Sequence, residues 1–108
     1  MKEQDLVKLI IDYLLLKGHF VWRNNTGLTK AKYINKQGIA KNRVWRSGVP
    51  GSSDILGISQ NGKFIAVECK IGKNRPTEKQ QEFLGKIRGH GGYAIVAHSL
   101  EDVEKYFQ

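Results

Sequence analysis

G-S-S-D-I-L-G-I-S-Q-N-G-K-F-I-A-V-E-C-K, running from Gly51 to Lys70, reads as two apolar strands joined by a short Asn-Gly turn. Asp54 opens the first strand, and Glu68 and Lys70 close the second as a Glu-x-Lys. Side chains alternate faces along a strand, so Ile65, Val67, Cys69 and Ile71 share one face and Phe64, Ala66, Glu68 and Lys70 the other. That second face is apolar where the strand begins and charged where it ends. Such a pattern predicts a central strand whose far end opens into a cleft.

The turn length decides where Asp54 points. A two-residue loop, Asn61-Gly62, pairs Asp54 with Cys69, on the face away from Glu68. A three-residue loop, Gln60-Asn61-Gly62 with Gly62 left-handed in a bulge, pairs Asp54 with Glu68. The three-residue loop is the expected one, because it gathers two carboxylates and an ammonium on one face. Carboxylates held that close repel each other unless a cation lies between them, and a hard divalent ion such as Mg²⁺ takes oxygen ligands of this kind. By spacing alone, a turn aspartate and an exposed Glu-Lys pair on an edge strand would give the same letters.

The chain has 108 residues, enough for one domain with a single core. One cysteine excludes a disulfide framework, and Cys69, inside an apolar strand, reads as a small buried hydrophobe in a protein of the reducing cytosol. The apolar run from Leu6 to Leu16 is broken by Asp12 and too short to span a bilayer, so no membrane partner and a cytoplasmic location are expected.

Net charge is +8 and the isoelectric point about 9.8. Between Asp12 and Asp54 there is no acidic residue, whereas Lys17, Arg23, Lys30, Lys32, Lys36, Lys41, Arg43 and Arg46 all fall there. A surface made basic only for solubility would mix both signs, so a polyanion, most commonly nucleic acid, is the expected partner. Lys73 and Arg75 extend the basic character into a loop after the central hairpin.

Residues 2–17 carry helical periodicity through Leu6, Val7, Ile10, Ile11 and Leu14, with Gly18 as a stop. Glu3 has two readings: an acid complementing the dipole of a first helical turn, or an acid leaning over the core edge into the cleft. His19 to Arg23 reads as a strand, with His19 structural. Residues 24–48 are rich in Gly, Asn and Lys, with Tyr33, Ile34, Val44 and Trp45 interleaved. Short strands at 31–35 and 42–46 would make a basic hairpin whose aromatics grip nucleic acid or anchor the loop to the core. Thr77-Glu78-Lys79-Gln80 has the form of a capping box opening a helix over 78–90. Gln80 either caps that helix or reaches the cleft, and capping alone would satisfy the letters. A buried strand at 93–98 and a short helix at 100–107, N-capped by Ser99, complete the chain. The expected fold is an α/β sandwich with a mixed sheet, in the order α-β-basic insertion-β-β-α-β-α.

G-x-x-D, then E-C-K, then T-x-x-Q-x-x-F, then an amphipathic helix ending in G-G and an apolar strand, resembles the virus-type replication-repair nuclease (VRR-NUC) family of the PD-(D/E)xK superfamily, whose fold is restriction-endonuclease-like. The likeness spans most of the chain, but residues 24–46 match no motif in detail. It implies Mg²⁺ or Mn²⁺ held by Asp54 and Glu68 with the Cys69 backbone carbonyl, and a water oriented or polarised by Lys70. Gln80 would lie at the edge of the site, and Glu3 would correspond to the acid of the first helix. Where the family usually has Pro-Asp, this chain has Ser53-Asp54. Stand-alone members this small resemble the phage-type nucleases that act as homodimers on branched DNA. The implied activity is therefore metal-dependent DNA hydrolysis, selective for branched DNA such as four-way junctions. Single-site cutting of flaps, ends or duplex, RNA cleavage, and a basic binding module without catalysis are the alternatives. No serine, histidine or cysteine constellation offers a rival nucleophile.

Overall fold

A computed structural model of the chain describes residues 1–24 and 27–108, with side chains described outside 27–31 and 44–47. Its elements are α1 (Glu3–Leu16), β1 (Phe20–Arg23), β2 (Gly27–Ile34), β3 (Ala40–Ser47), β4 (Ile55–Ile58), β5 (Phe64–Cys69), α2 (Glu78–Gly89), β6 (Tyr93–Ala97) and α3 (Leu100–Glu104). Four strands form a mixed sheet in the order β1-β4-β5-β6, while β2 and β3 pair with each other in a sheet of their own. Among the described residues only the β5–β6 pair is parallel, and α2 lies between those two strands in sequence, as a parallel crossover requires. This is the expected element order. The basic segment is more regular than expected, because its strands run eight residues each and pair along their whole length. The last helix is shorter, ending at Glu104 rather than 107.

Leu6, Val7, Ile10 and Leu14 of α1 are buried at helical spacing. The Lys2 N–H donates to the Asp5 carboxylate at 3.0 Å, which starts the helix. Gly18, at φ +92°, ends it by letting the His19 N–H turn back to the Leu14 carbonyl. The buried α1 stripe packs with Val21, Ile55, Ile65, Val67, Cys69, Ile95 and, from α3, Val103 into the main core. On the opposite face of the sheet, Leu84 of α2 covers Ala66 and Ala94, flanked by Phe64, Phe83 and Ile87. Strand β5 is therefore enclosed from both sides, which explains its apolar run from Phe64 to Val67.

The central hairpin takes the three-residue loop. The Ser59 N–H donates to the Lys63 carbonyl at 2.7 Å, and the Gly62 N–H to the Ser59 carbonyl at 2.9 Å. Gly62 adopts φ +85°, a conformation that costs glycine nothing. The resulting register, Ile55 opposite Val67 through Ile58 opposite Phe64, extends to place Asp54 opposite Glu68.

Gly57 is what allows β1 to lie against β4. A Cβ at this position would fall 2.2 Å from the Phe20 carbonyl oxygen and 2.6 Å from the Val21 Cα, both backbone atoms that cannot swing away. Gly57→Ala is therefore expected to destabilise the protein by about 1–3 kcal/mol. Thermal denaturation reads this as a Tm lowered by about 4–8 °C per kcal/mol. An unchanged Tm would mean that β1 does not approach so closely.

Candidate active site

Three turns of backbone design bring the acidic residues together. The hairpin register sets Asp54 and Glu68 side by side on neighbouring strands, and Lys70 follows two residues after Glu68 on the same face. The Cys69 N–H then donates to Asp54 Oδ2 at 2.8 Å, which fixes the carboxylate. Upstream, the loop carrying Asp54 is pinned by Asn24. Its backbone N–H donates to the Asp54 carbonyl at 2.8 Å, and its Nδ2 to Ser52 Oγ at 2.6 Å and to the Ser53 carbonyl at 3.0 Å.

Gly51, at φ +75°, closes this loop onto α2. A Cβ there would fall 2.3 Å from the Lys79 carbonyl oxygen and 3.0 Å from the Gln80 nitrogen, so only glycine lets the loop touch the first turn of the helix. Gln80 is thus held beside the loop that bears Asp54. Its Oε1 accepts the Thr77 N–H at 2.8 Å while its own N–H donates to Thr77 Oγ1 at 3.2 Å. This is the reciprocal capping box, and it engages the Gln80 side-chain oxygen. Ser53, just before Asp54, is 1% exposed and its Oγ has no partner.

The electrostatics single out Glu68. It is 2% exposed, and its Oε1 is buried without a hydrogen-bond partner. Burial pushes its carboxyl up to about 9, helped by a hydrogen bond and like charge from Asp54 and by the more distant charge of Glu3, with Lys70 opposing. The charge of Glu3, in the first turn of α1, therefore reaches the site as well as complementing the helix terminus. The Cys69 thiol is pushed well above its usual range, first by burial and then by Asp54, Glu68 and Glu3, which makes it an inert core residue.

An unpaired, buried carboxylate oxygen beside a second carboxylate is a donor set that a hard divalent cation would complete. Among the described residues no group of three or more His, Cys, Asp and Glu side chains could hold a metal. The ion would accordingly rely on Asp54, Glu68, backbone oxygen and water, the sparse protein ligation that Mg²⁺ tolerates.

The basic residues are less concentrated. Lys32, Lys36, Lys41 and Arg43 are exposed on the β2–β3 hairpin, whereas the side chains of Lys30, Trp45 and Arg46 lie outside the described residues. In the hairpin register Lys41 stands opposite Tyr33 and Arg43 opposite Ala31, so these two share a face that Lys32 does not. The positive charge thus wraps both faces of the hairpin. Lys73 and Arg75 are exposed in the loop that leaves Lys70 for α2. Sequence reasoning missed Asn24, whose bonding partners lie 28 and 29 residues away. Among the described residues no helix is long and apolar enough to cross a membrane.

The family model described as the VRR-NUC domain matches residues 1–101. A comparison with curated proteins finds none that matches.

The state of Glu68 has a measurable consequence for stability. A carboxyl raised from 4.5 to about 9 on folding binds more protons in the native than in the unfolded state between those values. Without divalent metal, the contribution of Glu68 to stability is then fully present below about pH 4.5 and is lost as pH rises toward 9. In EDTA, Tm is expected to fall across that window. Glu68→Gln should flatten the slope, and saturating Mg²⁺, which needs the ionised carboxylate, should oppose it. A Tm that climbs with pH in EDTA would contradict this state of Glu68.

Proposed function

The chain belongs to the VRR-NUC family, and from that premise we propose that it is a metal-dependent DNA endonuclease of one nuclease domain, with Asp54, Glu68 and Lys70 as its catalytic core. The observation that carries this reading is Glu68: a carboxylate almost wholly removed from water, one oxygen unsatisfied, held against Asp54 at the charged end of an otherwise apolar strand face.

Phosphodiester hydrolysis needs a water made nucleophilic, an orientation for its attack, and relief of charge on the phosphate. Asp54 and Glu68, with the Cys69 carbonyl, would hold Mg²⁺ or Mn²⁺, which when bound acidifies water and polarises phosphate oxygens. Asp54 is already oriented by the Cys69 amide, so ligand geometry is set before substrate arrives. Lys70 shares the strand face with Glu68, where its ammonium can position a hydroxide and offset phosphate charge. Glu3 adds negative charge at the rim, which favours cation binding. Gln80, whose side-chain oxygen caps α2, would offer its amide nitrogen at the edge of the site.

Substrate contact beyond the cut falls to the exposed lysines and arginines: Lys32, Lys36, Lys41 and Arg43 on the hairpin, Lys73 and Arg75 near the site, with Lys30 and Arg46 extending the set. Their contact is with the backbone of any DNA sequence. By likeness to small stand-alone members of the family, the active form is a homodimer acting on branched DNA. A two-fold arrangement would present two cleavage centres symmetrically to a four-way junction.

Asp54→Ala or Lys70→Ala should lower cleavage by about 10²-fold or more while leaving DNA retention in EDTA within a factor of about two, since phosphate contacts elsewhere dominate affinity. A wild-type protein that retards DNA in gels but nicks no junction, flap, single-stranded or duplex substrate with Mg²⁺ or Mn²⁺ would instead be a binding module.

A further inference from the structure

We propose that the part of the sheet left bare by α2, built on Phe20, Trp22 and Ile58, is a stacking platform for unpaired bases lying next to the scissile phosphate. This deepens the nuclease reading and rests on it for the position of that phosphate.

The geometry follows from the strand register. Phe20 stands opposite Ile58 and Trp22 opposite Leu56, and Leu56 and Ile58 in turn face Ala66 and Phe64 across β4–β5. All six share one face, the same face as Asp54 and Glu68, because residues two apart on a strand point alike. Over β5 and β6 that face is closed by Leu84, Phe83 and Ile87 of α2. Over β1 and the end of β4 it is not: Phe20 is 68% exposed, Trp22 41% and Ile58 45%.

Trp22 adjoins the acids. The Asn24 N–H bond to the Asp54 carbonyl continues the β1–β4 ladder by one step, so Asn24 stands opposite Asp54 and Trp22 is the diagonal same-face neighbour of Asp54. Such neighbours are about 7–8 Å apart between Cα atoms. The rings of Phe20 and Trp22 lie 5.4 Å apart at 55°, which makes a continuous aromatic surface leading away from Asp54. A strand whose phosphate lies at Asp54 and Glu68 and that continues along this face meets Trp22 first and Phe20 next.

Charge and chemistry select the occupant. The chain as a whole carries a net charge of +8 and so draws a polyanion, and a strand cut at Asp54 and Glu68 must continue over the surface beside them. Paired bases inside a duplex present no free ring face, but unpaired bases do, and they stack on exposed Trp and Phe irrespective of sequence. The substrate class is therefore DNA with one or more unpaired nucleotides beside the cut, as at a flap, a gap or the crossing point of a branch.

The test compares binding in EDTA of a duplex and of an equally long duplex carrying a short unpaired segment. Wild type is expected to prefer the unpaired substrate by 10-fold or more. Phe20→Ala/Trp22→Ala should remove that preference with duplex affinity changed less than two-fold, and Trp22→Phe should keep most of it. In a Trp45→Phe background, oligodeoxythymidylate should quench Trp22 fluorescence, a readout that does not depend on the double variant folding. Equal affinity of wild type for both DNAs, or unquenched Trp22, overturns the proposal. So does a double variant that keeps the preference but changes from dimer to monomer in light scattering, which would assign the face to a second copy. If wild type cuts nothing with Mg²⁺ or Mn²⁺, the nuclease reading fails, while the binding preference in EDTA still decides whether the platform exists.

Discussion

The pairing of Asp54 with Glu68 across the β4–β5 hairpin is the constraint on which the rest of this structure depends. Burying a carboxylate costs several kcal/mol unless it is neutralised or paired, and here two carboxylates are brought together with one of them almost dry. The chain tolerates this in one of two ways: Glu68 keeps its proton, or a cation takes its place. Protonation and metal binding are therefore alternatives at a single oxygen pair, and the loop, strand and helix contacts around it serve to hold that pair in place.

The supporting contacts converge from distant parts of the sequence. The left-handed Gly62 sets the register that aligns the two acids. Asn24, at the end of β1, ties down the loop before Asp54 by three hydrogen bonds, and Gly51 lets that loop rest on the first turn of α2. Gly57 draws β1 close enough for Asn24 to reach. The same approach carries Phe20 and Trp22 onto the face of the acids. An edge strand whose end anchors the loop before Asp54 thereby also supplies the aromatic surface next to it.

Much of this was legible in the residues. Helical periodicity in α1 and the capping box of α2 each follow from local patterns that a few neighbouring side chains decide. The Glu-x-Lys at the end of an apolar strand marked the charged end of the sheet. The turn was harder, because Asn61-Gly62 suits a two-residue loop as well as it suits the last two positions of a three-residue one; the preference came from where each would send Asp54. Gly, Asn and Lys are weak strand formers, so the basic segment reads as shorter strands than the eight residues that β2 and β3 reach by pairing with each other. Asn24 could not be found, since nothing within its own neighbourhood hints at partners near residue 52. Nor could the exposure of Phe20 and Trp22, which in sequence look like any buried aromatic strand; it depends on how much of the sheet α2 is able to cover.

Anomalous diffraction from crystals grown with Mn²⁺ near neutral pH tests the central claim most directly. One strong peak is expected, shared by the Asp54 and Glu68 carboxylates at an oxygen–metal distance of about 2.1 Å, with the Asp54 contact to the Cys69 amide intact. Crystals that take up Mn²⁺ elsewhere, while Glu68 remains protonated and hydrogen-bonded to Asp54 without metal, would contradict it.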